Sequence, residues 1–176
     1  RLNNKKIVSL DAETNGLWGQ AFCIAAVMFD EGGEWLGSFI GRCEIEGEIN
    51  PWVSENVLPK MAGIPVTYES YRELLEAFFE WYKPSKDHAV VLTHMGHIVE
   101  AKLLRDAHDI GVIGDWDAPY LWYDCCLFFE DSTDTYCEEN NISPSEYAFM
   151  GGTHNPLYDC YSAYRAFKHF VQKEEE

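Results

Sequence analysis

The sequence is poor in basic residues. Its 176 residues include 13 lysines and arginines against 30 aspartates and glutamates, which gives a formal charge of −17. Proteins that bind nucleic acid normally contact its phosphates with lysine and arginine, so this balance argues against nucleic acid as a partner. No apolar run approaches the roughly 18 residues that span a bilayer, and we therefore expect no membrane partner.

The sequence also lacks paired cysteines and any sign of a domain boundary. The six cysteines form no C-x-x-C pair, which argues against a zinc ribbon and favours buried thiols in a reducing cytoplasm. The chain contains no linker, low-complexity tract or internal repeat. We therefore expect one domain over residues 1–173, followed by a frayed acidic tail at 174–176.

The order of apolar segments predicts an α/β fold. Alternating or continuous apolar runs predict strands at 6–13, 22–29, 34–44, 89–93 and 121–125. Helical spacing predicts helices at 51–61, 71–81, 97–108 and 159–171. Three antiparallel strands followed by strands that alternate with helices indicate a mixed sheet, antiparallel first and parallel later, flanked by helices. The ribonuclease H-like architecture has this order, and so do other α/β folds.

A pair of carboxylates lies at the end of the first strand. Asp11 and Glu13 alternate with Ala12 and therefore face the same side, with Cα atoms about 6.5–7 Å apart. Carboxylates at this spacing can share a hard cation or hold two cations. In an acidic chain the same pattern also arises from two solvated acids. A turn follows at once, in which Gly16 permits a close approach of the backbone and Leu17 stands at the rim.

A third carboxylate lies on an apolar helix face. Glu100 shares that face with Leu103 and Ala107, and a buried carboxylate needs a metal, a lysine or a helix N-terminus as its partner. A partly exposed glutamate at a helix start is the alternative. The three-residue spacing of His94, His97 and Glu100 raises a second possibility, a zinc site.

The last helix begins close to a histidine and an aspartate. His154 precedes Asp159 by five positions, and Asp159 aligns with the apolar stripe of that helix. The dipole at a helix N-terminus favours a carboxylate, so Asp159 could also be no more than a helix cap.

Two of these motifs resemble a known family. The run from Asp11 to Leu17 resembles the first motif, D-x-E-T-x-G-L, of the DEDD exonuclease superfamily. His154 and Asp159 resemble the third motif of its DEDDh branch, and Glu100 stands where the family has an aspartate. The stretch from Trp52 to Lys60 is similar to the W-V-x-x-x-V-L-P-K stretch of small bacterial and phage exoribonucleases.

The resemblance implies a ribonuclease H-like fold and a metal-dependent 3′→5′ exonuclease that releases nucleoside 5′-monophosphates. Its partners would be 3′ ends of single-stranded RNA or DNA, with RNA favoured. The acidic composition itself favours short oligonucleotides. The resemblance also implies a possible homodimer. The implied ligands for two Mg²⁺ or Mn²⁺ ions are Asp11, Glu13, Glu100 and Asp159, and the implied general base is His154. The implied substrate-binding residues are Thr14, Gly16 and Leu17. Trp18 or Phe22 could stack on the terminal base.

Metal binding would answer the objection from charge, because two divalent ions neutralise four carboxylates before a phosphate arrives. It leaves the rest of the acidic surface unneutralised. Two other hypotheses therefore stay open. One is a binding or regulatory module without activity, which the glutamate at position 100 and the net charge favour. The other is a metal-dependent hydrolase of small phosphoesters.

Overall fold

The computed structural model describes residues 5–142 and 152–174. The expected single domain over 1–173 therefore includes two segments, 1–4 and 143–151, that lie outside the described part. Of the expected frayed tail, Glu174 is the last residue of a helix, and 175–176 lie outside the described part.

The sheet has the mixed topology that the sequence predicts. Its strands are β1 (Lys6–Thr14), β2 (Ala21–Phe29), β3 (Trp35–Arg42), β4 (Ala89–Thr93) and β5 (Trp122–Asp124), in the spatial order β3-β2-β1-β4-β5. The first three strands pair antiparallel, whereas β4 runs parallel to both β1 and β5.

Five α-helices occur in the described residues. They are α1 (Pro51–Asn56), α2 (Tyr71–Tyr82), α3 (Val99–Ile110), α4 (Thr133–Glu139) and α5 (Pro156–Glu174), with 3₁₀ turns at Leu58–Met61, Lys83–His88 and Cys125–Leu127. The helix predicted over 51–61 is divided in two, because Pro59 has no N–H to continue the hydrogen-bond pattern. Helix α3 extends two residues beyond the predicted end at position 108 and is capped by Gly111, which adopts the left-handed conformation.

The start of α5 differs from the prediction. The helix begins at Pro156 and not at Asp159, because Asn155 is its cap: the Asn155 side chain accepts hydrogen bonds from the backbone N–H groups of Leu157 and Tyr158. Asp159 consequently lies inside the first turn of the helix. Helix α4 was not predicted at all.

Helices cover both faces of the sheet. Helices α2 and α3, with the segment 51–61, pack on one face, and α5 packs on the other. Every residue of β2 is buried, as expected for a strand between two helical layers. Five cysteines are buried as predicted, but Cys126 is exposed. Among the described helices, none has the length and apolar character needed to cross a membrane.

The end of β1 is open on one side. Strand β4 pairs with β1 only from Lys6 to Ser9, whereas β2 pairs with it as far as Thr14. The segment of β1 beyond Ser9 therefore borders a space that β4 does not fill. Asp11 and Glu13 lie on this segment.

Candidate metal and active site

Three acidic side chains from distant parts of the chain meet at the open end of β1. Asp11, Glu13 and Asp159 each offer a carboxylate oxygen, and these oxygens all lie within 4.8 Å of one another. Asp11 as a whole residue is half-buried, but its Oδ2 is buried and has no hydrogen-bond partner among the described residues. A buried carboxylate oxygen without a donor is costly, so the arrangement suits a cation.

Glu100 lies against the same strand. It is only 4% exposed, and its Oε1 accepts a hydrogen bond of 3.0 Å from the backbone N–H of Ala12, between Asp11 and Glu13. This bond satisfies a backbone group that β4 leaves unpaired. Glu100 is therefore buried and not partly exposed, and it adjoins the three clustered carboxylates without belonging to the group that lies within 4.8 Å.

The four carboxylates perturb one another. Burial, followed by repulsion from Asp159, raises the pKa of Asp11 and of Glu13 well above the ordinary values. Burial likewise raises the pKa of Glu100 to about 8 and that of Asp159 to about 7. Like charges this close oppose full ionisation unless a cation is present. The donor set, all hard oxygens, fits Mg²⁺ or Mn²⁺.

His154 lies on the wall of the same cavity. Its backbone N–H donates to Asp159 Oδ2 at 3.0 Å, and its φ of 70° is left-handed, which few residues other than glycine adopt. Burial, and secondarily the charge of Lys60, lowers the pKa of the His154 imidazole. A neutral imidazole at pH 7 can accept a proton, as a general base must.

The cavity has a volume of about 270 Å³. Besides the residues above and His94, it is lined by polar side chains that sequence analysis did not select: Ser132, Thr133, Asp134 and Thr153. Asp134 is the main omission. Its carboxylate accepts hydrogen bonds from the hydroxyl groups of Tyr158 at 3.0 Å, Ser162 at 3.1 Å and Thr153. Ser132, which caps α4, is the helix-start signal that could have located it.

Asp124, a second omission, organises the turn that precedes α3. Its carboxylate accepts from Thr93 Oγ1 at 3.0 Å and from the backbone N–H groups of Met95 at 2.8 Å and Gly96 at 2.7 Å. Burial opposes ionisation, but hydrogen bonds from Cys126 and from this turn hold the pKa of Asp124 below its ordinary value. The turn thereby fixes where α3 starts.

The alternative zinc site is not formed. His94 stacks on Phe129, and its Nε2 lies 3.2 Å from the carbonyl oxygen of Asp131. Within residues 5–142 and 152–174, His94, His97 and Glu100 do not come together as a ligand group. The reason is that His94 and His97 lie in the turn before α3, whereas Glu100 turns toward β1.

The predicted substrate-binding residues lie at the end of β1 and in the turn after it. Thr14 ends the strand, and Gly16 has a φ of 84° and lies so near Asn50 that a Cβ would approach its Nδ2 to 3.1 Å. Leu17 and Trp18 are exposed and accessible to a ligand. Phe22 was wrong as a stacking candidate, because it is fully buried in the core beneath the sheet.

Comparisons with solved structures agree with this topology. The chain is similar to E. coli exonuclease I in complex with a dT13 oligonucleotide, with a TM-score of 0.69 and 13% identity over 96% of this chain and 41% of that one. It is also similar to exonuclease X in complex with 5′ overhanging duplex DNA, with a TM-score of 0.61 and 16% identity over 97% of this chain and 93% of that one.

At the level of sequence, no protein-family model matches the chain and no curated protein is similar to it. The chain spans about 41% of exonuclease I but nearly the whole length of exonuclease X. At these identities the likeness concerns the fold. The chain has the ribonuclease H-like exonuclease fold, a five-stranded mixed sheet flanked by helices.

Proposed function

We propose that the protein is a metal-dependent 3′→5′ exonuclease of the DEDDh type that hydrolyses single-stranded nucleic acid to nucleoside 5′-monophosphates. The observation that carries the proposal is the convergence of Asp11, Glu13 and Asp159 within 4.8 Å on a cavity that His154 also lines. The solved structures of similar fold are exonucleases bound to DNA, which supports a nucleic-acid substrate.

Each residue has a part in this reaction. Asp11, Glu13 and Asp159, with Glu100 beside them, would hold two Mg²⁺ or Mn²⁺ ions, which supply a water of lowered pKa and offset the charge on the leaving 3′-oxygen when bound. His154 accepts the proton of the attacking water as the bond from phosphorus to the 3′-oxygen breaks. Thr14, Gly16 and Leu17 bind the 3′-terminal nucleotide, since they lie at the end of β1 and in the turn after it, directly beyond the carboxylates.

The acidic charge of the protein favours short oligonucleotides over long strands. The net charge of −17 disfavours contact with the many phosphates of a long strand, and four of the 13 basic side chains are already paired with carboxylates: Arg72, Lys83, Lys86 and Lys102. RNA is the favoured substrate because the Trp52 to Lys60 stretch resembles that of small exoribonucleases. We further propose that residues 1–173 act as one exonuclease domain in the cytoplasm and that the protein forms homodimers.

A single assay tests the activity. Single-stranded RNA and DNA labelled at the 5′ end are incubated with Mg²⁺, Mn²⁺ or EDTA, and products are resolved at single-nucleotide resolution. We expect stepwise shortening from the 3′ end, faster on RNA, that stops in EDTA. The variant Asp11→Asn should be inactive, and Asp87→Asn, an exposed acid elsewhere, should match the wild type.

The outcome separates the competing hypotheses. Binding of oligonucleotides without any metal-dependent shortening would favour an inactive binding module. Cleavage of a small model phosphodiester in preference to oligonucleotides would favour the other hydrolase. Either result overturns the exonuclease assignment, and equal activity of the wild type and Asp11→Asn would remove its chemical basis.

A further inference from the structure

The imidazole of His154 contacts an aromatic side chain from a different part of the chain. The rings of Trp52 and His154 lie with centroids 5.3 Å apart at an interplanar angle of 88°, an edge-to-face arrangement. This geometry is favourable between aromatic rings and restricts how each can rotate. Trp52 itself is 54% exposed, so core packing does not explain its position.

The helix that carries Trp52 is held firmly. Asn50 caps α1, and its Oδ1 accepts from the backbone N–H of Trp52 at 2.9 Å. The backbone N–H of Asn50 donates to Asn15 Oδ1 at 2.7 Å, so α1 is attached to the turn that follows β1. The backbone of Trp52 is therefore fixed relative to the strand that bears Asp11 and Glu13.

The C-terminal end of the segment 50–61 is attached to the residue next to His154. The buried side chain of Asn155, next to His154, donates from Nδ2 to the carbonyl oxygen of Lys60 at 3.3 Å. Arg42 donates to the carbonyl oxygens of Met61 at 3.2 Å and Ile64 at 3.0 Å, which secures the same turn to β3. The segment 50–61 thus holds the backbone beside His154 as well as its ring.

The ring of His154 has few other restraints. Its backbone N–H bonds to Asp159, but the imidazole nitrogens make no hydrogen bond to any described residue. A general base that is not held by a hydrogen bond needs another contact to keep one nitrogen directed at the water. The edge-to-face contact with Trp52 supplies it.

We propose that Trp52 is a positioning residue that orients the His154 imidazole toward the attacking water. The inference rests on the proposed exonuclease function. Trp52 acts through His154 and not through the substrate. Removing its ring lets the imidazole rotate away, which lowers kcat and leaves KM and metal affinity unchanged.

A double-mutant cycle measures this coupling. Exonuclease kcat and KM on a short RNA are compared for the wild type, Trp52→Ala, His154→Ala and the double variant. We expect Trp52→Ala to lower kcat about tenfold, within the range that misplacement of a catalytic group produces. In the His154→Ala background the same substitution should have no further effect, because the ring that it orients is gone.

Two further variants serve as controls. Trp52→Phe keeps an aromatic face and should retain kcat within about threefold of the wild type. Trp35→Ala removes a tryptophan of similar exposure, 57%, from the opposite end of the sheet and should leave kcat unchanged. Mn²⁺ binding followed by calorimetry should be the same in the wild type and Trp52→Ala.

A measurement without turnover tests the geometry directly. In NMR spectra the Trp52 ring current should shift the His154 ring protons, and Trp52→Ala should abolish that shift. If Trp52→Ala instead raises KM and keeps its effect in the His154→Ala background, Trp52 stacks on a base and the positioning role is refuted. Unchanged kcat also refutes it. Absence of activity in the wild type would instead overturn the proposed function, and the NMR result would still decide the contact.

Discussion

The buried carboxylates lead to an inverse relation between stability and activity. The substitution Asp11→Asn removes one charge from the cluster while keeping the shape of the side chain. Without metal, the wild type must bury mutually repelling charges. We therefore expect Asp11→Asn to be more stable than the wild type in EDTA, although it removes a proposed metal ligand.

The perturbed pKa values set the size of this effect. Raising the pKa of Asp159 from 3.8 to about 7 corresponds to about 4 kcal/mol at about 1.4 kcal/mol per pKa unit. The pKa of Asp11 is also raised, first by burial and then by repulsion from Asp159, Glu13 and Glu100, so removal of its charge should recover part of a cost of this order, about 1–3 kcal/mol at pH 8. For a chain of this length that corresponds to a rise in Tm of about 3–10 °C.

Added metal should reverse the order. A ligand that binds only the folded state stabilises it by about 2.7 kcal/mol at 100 times Kd and by about 4.1 kcal/mol at 1,000 times Kd, which exceeds the advantage of Asp11→Asn in EDTA. Mg²⁺ or Mn²⁺ should thus raise the Tm of the wild type and change that of Asp11→Asn little. Thermal unfolding at pH 8, in EDTA and in 10-fold steps of Mn²⁺, measures both effects, with Asp87→Asn as the matched control. A lower Tm of Asp11→Asn in EDTA, or equal metal stabilisation of both proteins, would refute the reasoning.

Three further expectations concern the same region. The raised pKa values mean that the folded state binds protons more tightly than the unfolded state. The metal-free protein should therefore lose stability as pH rises from about 5 to 8, through the pKa values of Asp159 at about 7 and Glu100 at about 8. Urea unfolding in EDTA across this range measures the change, and a gain of stability with rising pH would contradict the expectation. Glu100→Gln can still accept a hydrogen bond from the N–H of Ala12 and should be at least as stable as the wild type in EDTA. Glu100→Ala leaves that buried N–H unpaired and should lose about 1–3 kcal/mol of unfolding free energy in urea. Equal stability of the two variants would argue against the hydrogen bond. Asn155→Ala should lower the free energy of unfolding by about 1 kcal/mol, because it removes the cap of α5. Asn155→Asp keeps the accepting oxygen but not the donor to Lys60, so it should retain the cap in the same assay. If both variants lose stability equally, the cap is not the cause.

The fold was predictable to a large extent from local patterns. Continuous apolar runs located β2 and β4, and the order of the predicted segments indicated that three antiparallel strands come first. The boundaries of α5 were less predictable, because both Asn155 and Asp159 are residues that cap helices. Helix α4 is short and mostly polar, so it lacks the apolar stripe by which a helix is recognised in sequence.

Only some residues of the candidate site could be identified from the sequence. Asp11 and Glu13 were identifiable because strand alternation places neighbours two residues apart on one side. Asp134 and Asp124 were missed, since each acts by accepting hydrogen bonds from groups that are distant in sequence, such as Ser162 to Asp134 and Thr93 to Asp124. Bonds of this kind leave no periodic signal.

The sequence by itself determined which acidic residues were candidates, the order of strands and helices, and the turn after β1, because each of these depends on neighbours within a few positions. Only the tertiary structure decided that β4 stops short along β1, that Glu100 fills the resulting gap by bonding to Ala12, and that Trp52 meets His154. Those contacts join residues about 90 to 100 positions apart, and their formation depends on how the helical layers pack on the sheet, which no local pattern encodes.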